Sequence, residues 1–245
     1  MSLEAGFEWS AGSGIGRLCL ARPDDGNTVS LAMIRGLQSA LAELEADPAV
    51  RVILLEAQGE DFCLGRNGEG ESREGLSAYA IHQQFLMPIL DLYAAIDRCE
   101  LPVVSVVQGR AFGFGCALAA ACDITLAGES AQFALPEILR GIPPTLAMSV
   151  LRGRVPPKAI AYLIHSALAV DARTAREFGL VSHVVPDSRL PQEADSLLAG
   201  MANQQRIVNA TVKEFVTLGP GTERVLASRL AGLLMTVNRS HTAAR

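Results

Sequence analysis

The chain has 245 residues, 49% of them apolar, and a formal net charge of −5 from 21 Lys and Arg against 26 Asp and Glu. That is enough for one large α/β domain, or two small ones, with a sizeable core. The mild acidity argues against a nucleic-acid partner, which needs a basic face to neutralise phosphates.

Met1-Ser2-Leu3-Glu4-Ala5-Gly6 has neither a basic nor an apolar stretch, so no secretory leader is expected. Ile15–Leu20 reads as a short strand, stopped by the turn-rich Arg22-Pro23-Asp24-Asp25-Gly26-Asn27. Ser30 can cap a helix to about Ala46, whose Ile34, Leu37, Leu41 and Leu44 fall at helical spacing. Residues 51–57 form a strand apolar on both faces, hence central in a sheet. A polar loop follows from Gly59 to about Ser77, then a helix from Tyr79 to Arg98 with Pro88 as a kink. Pro102–Val107 is another apolar strand, and Gly109–Gly115 a glycine-rich turn into a helix, Cys116–Cys122.

Asp123–Ala127 is a third apolar strand. Helical stretches follow near Thr145–Leu151 and Pro157–His165. Asp171–Gly179 is a compact helix with an Asp cap and a Gly stop, and Leu180–Val185 a short strand. From Leu190 the pattern is helical, interrupted at Gly219-Pro220-Gly221. Alternating strands and helices followed by helices alone predict an α/β fold, with a core over residues 1–190 and a helical region over 191–245.

Cys19, Cys63, Cys99, Cys116 and Cys122 are odd in number and lie mostly in apolar runs, the pattern of buried reduced thiols in a cytoplasmic protein. The histidines, His82, His165, His183 and His241, lack metal-ligand spacing, so no metal is expected. No uncharged apolar run reaches about 18 residues, so no membrane span is expected.

Three common motifs are absent. Gly113-Phe114-Gly115 supplies GxG, but Leu118 stands at the third position of a dinucleotide fingerprint, and no acidic residue ends a following strand at the right distance. There is no Gly-Lys-Ser/Thr ending and no GxSxG elbow.

Two buried strands instead end in glycine-containing turns: 52–57 leading to Asp61-Phe62-Cys63-Leu64-Gly65-Arg66-Asn67, and 101–107 leading to Ala111-Phe112-Gly113-Phe114-Gly115-Cys116. Two such turns can point backbone N–H groups at one carbonyl oxygen, and a helix N-terminus strengthens the second. These turns, in order with Cys122-Asp123-Ile124, Ala131-Gln132-Phe133, Pro136-Glu137-Ile138 and Gly179-Leu180-Val181, resemble the enoyl-CoA hydratase/isomerase, or crotonase, superfamily over residues 15–186.

The resemblance implies a spiral of ββα turns with a helical C-terminal trimerisation region, assembled as a trimer or dimer of trimers. It implies an acyl-CoA thioester substrate and no cofactor beyond the coenzyme A of that substrate. The oxyanion donors would be the N–H groups of Leu64 and Phe114. Leu64, Gly65, Arg66 and Asn67 would line the ligand path, with Asn27, Thr28 and Gly113 beside it. Of the family's two catalytic carboxylates the later maps onto Glu137, and the earlier onto Ala117, which transfers no proton. One carboxylate suits double-bond isomerisation better than hydration.

Gly141-Ile142-Pro143-Pro144 is similar to the hydratase-lyase group. A hydratase, a hydratase-lyase or decarboxylase, and a non-catalytic acyl-CoA-binding protein are the alternatives. RNA binding, known in a few members, is disfavoured by the charge. The sequence departs from the family pattern at Phe114, where glycine is usual, and at Arg66-Asn67, where Ala-Asp is common. Arg66 could pair with a phosphate, a substrate carboxylate, Glu69 or Glu71. Glu69, Glu71 and Glu74, with Tyr79 and His82, could supply a second polar group.

Overall fold

The computed structural model describes residues 6–68, 70–218 and 222–243. The expected break at Gly219-Pro220-Gly221 and the loop acid Glu69 lie outside them.

A six-stranded sheet forms the frame, in the order β1 (Phe7–Gly12), β2 (Ile15–Leu20), β3 (Val52–Ala57), β4 (Val103–Val107), β6 (Ile124–Gly128), β9 (His183–Val185). Only β1–β2 is antiparallel; the other pairs are parallel. A second sheet orders β5 (Arg110–Phe112), β7 (Gln132–Ala134) and β8 (Val170–Asp171).

β3 shows why the frame holds. Its apolar run splits by strand alternation. Ile53 and Leu55 join one core with α1 (Leu31–Ala46) and α3 (Met87–Arg98), while Val52 and Leu54 join a second core on the other face. Ser30 caps α1 by accepting from the Met33 N–H at 3.2 Å, as its position in the sequence predicts.

The chain advances in repeated steps: a strand in the large sheet, a strand or bridge in the small one, then a helix. β3, the Cys63–Ala111 bridge and α2–α3 make one step, with α2 spanning Ala78–Ile81. β4, β5 and α4 (Phe114–Ala121) make the next. β6, β7 and the helices α5 (Thr145–Leu151) and α6 (Pro157–Ser166) make the third. Between α2 and α3 the helix widens to a π-turn over His82–Leu86, closed by the Met87 N–H on the His82 carbonyl. The expected Pro88 kink is thus a π-turn just before a proline that cannot donate.

α7 (Ala172–Glu177) is capped by Asp171, which accepts from Thr174 N–H at 2.7 Å. α8 (Leu190–Ala202) places Leu190, Ala194 and Leu198 in the second core. The expected division after residue 190 falls at the start of α8, which packs against the large sheet. α9 (Arg206–Leu218) and α10 (Arg224–Ala243) follow. Arg206 fastens α9 by donating to the carbonyls of Glu45, Asp47 and Val50, closing the C-terminal end of α1.

Candidate functional site

Backbone pairing decides which amides of the first turn face the cleft. Cys63 joins the small sheet: its N–H donates to Arg110 O at 3.1 Å, and its carbonyl accepts from Phe112 N–H at 2.9 Å. Leu64 donates to Gly26 O at 2.9 Å, and its side chain packs on Gly26. This corrects the expectation for Leu64, whose N–H is already spent and is no oxyanion donor. Val29 then bridges Arg66, donating to Gly65 O at 3.0 Å and accepting from Asn67 N–H at 2.9 Å. The N–H groups of Gly65 and Arg66 have no acceptor among the described residues. Successive amides of an extended pair alternate in direction, so that of Arg66 points away from Val29.

Asn27 is a second correction. Its side chain is fully buried and spent within the protein, accepting from Arg22 N–H and donating to Gln58 O and Asp61 O, each at 2.8 Å. It builds the 22–28 turn at φ +55° and offers a ligand no side-chain polar group. Thr28, half-buried beside it, donates its N–H to Asp25 at 3.3 Å.

The second turn hinges on Gly113, at φ +54° and ψ −118°, a conformation open to glycine. Its N–H donates to Ala134 O at 2.8 Å and its carbonyl accepts from Ala117 N–H at 3.1 Å. The helix α4 begins at Phe114, two positions earlier than the expected start at Cys116, and is buried throughout. The Phe114 N–H, in its first turn, has no acceptor among the described residues. Its ring stacks on Tyr93, with centroids 5.8 Å apart. A Cβ on Gly115 would lie 2.2 Å from the Cys63 carbonyl oxygen, so glycine alone lets the helix start against the first turn.

Glu137 closes the third side, in the 3₁₀ turn Pro136–Arg140. Its Oε1 lies 2.9 Å from the point a Cβ on Gly113 would occupy, and Gly65 Cα lies 4.0 Å from that point. The structure thus brings Gly65, Gly113 and Glu137 together, although 72 residues separate the first from the last. Glu137 Oε2 is buried without a hydrogen-bond partner among the described residues. Burial raises its pKa above the ordinary carboxylate value, against smaller opposing effects of a backbone hydrogen bond and Arg140. The Ala117 methyl, one turn into α4, is fully buried and offers no polar atom.

The polar groups on the remaining side were only partly anticipated. Tyr79 is 74% exposed, and His82 and Glu74 are exposed too. Arg66 pairs with Glu71 and donates to Phe85 O at 3.5 Å. Sequence reasoning missed Tyr93. Its place on the inner face of α3, between Ile89 and Ile96, was the available signal. Its phenol is pushed well above the ordinary tyrosine range by burial first, then by Cys63, Glu137 and Cys116. Cys63 and Cys116 are themselves pushed up to about 12 by burial, so neither is a ready nucleophile.

Among the described residues, no group of three or more His, Cys, Asp or Glu side chains could hold a metal ion. No helix among them is long and apolar enough to cross a membrane.

The family model described as enoyl-CoA hydratase/isomerase matches residues 10–232. The mitochondrial enoyl-CoA hydratase of Pongo abelii is 34% identical over 203 residues, covering 82% of this chain and 68% of that protein. Enoyl-CoA hydratase domain-containing protein 3 of Xenopus laevis is 32% identical over 184 residues, covering 75% of this chain and 62% of that one. The chain thus spans roughly two thirds of the length of these relatives. Among solved structures, an enoyl-CoA hydratase of Mycobacterium smegmatis superposes with a TM-score of 0.88 at 29% identity, over 95% of this chain and 90% of that one. Human enoyl-CoA hydratase domain-containing protein 3 gives 0.89 at 26% identity, over 96% and 92%.

Proposed function

The chain belongs to the enoyl-CoA hydratase/isomerase family, and we propose that it moves the double bond of an enoyl-CoA thioester from C3 to C2. The observation that carries this reading is the pairing of a half-buried Glu137, one oxygen unpartnered, with a buried methyl at Ala117.

Glu137 takes a proton from C2 of a 3-enoyl thioester. The electron pair moves onto the thioester oxygen, giving a dienolate. The amides of Arg66 and Phe114 donate to that oxygen, and the N-terminal dipole of α4 adds to them. The same carboxyl returns the proton at C4 and the enolate collapses to the 2-enoyl product. Desolvation makes Glu137 a stronger base than an exposed glutamate and a usable acid after the first transfer. Hydration needs a second group to activate water, and at Ala117 none is offered.

Coenzyme A would run along Gly65, Arg66, Asn67 and Thr28. The five cysteines are free thiols, which suits the reducing cytoplasm. Purified protein mixed separately with 3-enoyl-, 2-enoyl- and hydroxycinnamoyl-CoA, with products followed by mass and ultraviolet absorbance, tests the reading. Conversion of the 3-enoyl substrate without gain of water is expected. Preferred hydration of the 2-enoyl substrate, as the names of its relatives suggest, would replace isomerisation by hydration. Binding without product would leave only a carrier.

The active form is a trimer or a dimer of trimers on this reading. Val212, Val216 and Leu218 on α9, and Val225, Leu226 and Leu233 on α10, expose apolar side chains that a lone protomer leaves in water. Light scattering on the same sample is expected to give a mass of three or six chains; a monomer at micromolar concentration would contradict it.

A further inference from the structure

The Arg66 side chain goes unused in the reaction above, which draws only on its backbone amide. The side chain is 16% exposed and its partner Glu71 is 12% exposed. The guanidinium reaches inward, donating to the Phe85 carbonyl in the π-turn. Burial lowers its pKa and the nearby Arg73 adds to that, yet a guanidinium stays charged in water-accessible conditions. Arg66 and Glu137 both act electrostatically on Tyr93, whose ring stacks on Phe114. The guanidinium thus lies against the π-turn that leads into α3, the helix whose Tyr93 stacks on Phe114.

Two further groups there lack a partner. Tyr93 is 7% exposed, and its hydroxyl makes no hydrogen bond among the described residues. Glu71 Oε2 is buried without a hydrogen bond; Arg73 stands 3.8 Å away, an ion-pair distance too long for one. A wholly apolar acyl tail would leave this polar wall unsatisfied, which is costly. A planar carboxylate matches the two-pronged guanidinium and can also accept from a phenol.

We propose that Arg66 selects an acyl group carrying a carboxylate at its far end, which takes the place of Glu71 on the guanidinium while Tyr93 donates to it. The inference rests on the acyl-CoA reading of the site, and binding is measured apart from turnover so that the two can fail separately. The probes are succinyl-, adipoyl- and suberoyl-CoA, each against butyryl-, hexanoyl- or octanoyl-CoA of equal length, titrated calorimetrically into the full chain.

Wild type is expected to bind one dicarboxylyl thioester about tenfold or more tightly than its apolar counterpart. Arg66→Met is expected to abolish that ratio. Glu71→Gln, which removes the competing anion, is expected to raise it. An ion pair that merely tethers the loop predicts the opposite: both variants weaken both ligands alike and the ratio does not move. Equal or tighter binding of the apolar thioesters by wild type overturns the proposal, as does a ratio unchanged in Arg66→Met. Absence of binding by any of the six thioesters overturns the acyl-CoA reading together with it. Selective dicarboxylyl binding without turnover of any enoyl-CoA sinks only the isomerase assignment.

Discussion

Glu137→Gln is expected to lower the turnover of 3-enoyl-CoA about 10⁴-fold while leaving its binding within a few-fold of wild type. General acid–base groups contribute about 10²–10⁴-fold each. On the proposed isomerisation this site stands at the upper end, because one carboxyl would serve as base in the first step and acid in the second. Glutamine keeps the shape of the side chain and loses the proton. Single-turnover rates and the dissociation constant separate the two effects; turnover within tenfold of wild type would remove Glu137 from the chemistry.

The pH dependence follows from the raised pKa. As a base Glu137 must be ionised, so kcat/KM rises with pH through an inflection above the ordinary glutamate value of about 4.3. The stability change has the opposite sense. The folded state holds this proton more tightly than the unfolded state, so between the ordinary value and the raised one wild type loses stability as pH increases. Glu137→Gln carries no such charge. Its melting temperature is expected to match or exceed that of wild type at pH 8, with the advantage fading toward pH 4. A variant less stable at pH 8 than at pH 4, relative to wild type, would show that the carboxylate is held by bonds and not strained by burial.

The long elements were legible because their causes are local. Ser30 followed by apolar residues at helical spacing yields α1 with its cap, and an apolar run such as 52–55 yields a strand buried on both faces. The small sheet was not legible. β5, β7 and β8 have three, three and two residues, too few for a period, and they exist because neighbours distant in sequence, parallel for β5–β7 and antiparallel for β7–β8, complete their hydrogen bonds. The same blindness explains Leu64. Five consecutive amides follow Phe62, and which of them face the cleft depends on Arg110, Gly26 and Val29 taking those of Cys63, Leu64 and Asn67. Nothing in the local spacing names those partners. Asn27 misled for a related reason: a polar side chain in a turn near the ligand path has its bonds taken by carbonyls 31 and 34 residues away. Tyr93 escaped notice because an aromatic on a buried helix face reads as core until its stack on Phe114 places it beside the first turn of α4.

Lys213→Met is expected to destabilise the protein by about 3–5 kcal/mol, the range for removing one partner of a buried ion pair. Lys213 is 5% exposed on α9. Its ammonium donates to Ile96 O at 2.8 Å and Leu101 O at 3.0 Å, and lies 2.8 Å from Asp123 Oδ2. All three donor positions of the ammonium are therefore used. Asp123 also accepts from Val103 N–H at 2.7 Å. Methionine fills the space of the stem but leaves the Asp123 carboxylate with that amide alone and strips two carbonyls of a donor. At about 2–4 °C per kcal/mol for a chain of this size, the melting temperature should fall by on the order of 10 °C. Asp123→Asn in the Lys213→Met background should cost less than the sum of the single changes, because the stranded charge is gone. A shift below about 2 °C would show that the pair contributes nothing net.

The consequence reaches the cleft through the chain itself. Ile96 lies one turn beyond Tyr93 on α3, Leu101 precedes β4, and Asp123 ends the segment that begins at Phe114. One ammonium thus fixes the far end of the helix that carries the phenol and the segment that follows α4, the helix that begins with the free Phe114 amide. Loosening both by even about 1 Å at the reacting atoms costs about 10²-fold in rate, so kcat of Lys213→Met should fall at temperatures where the protein is still fully folded.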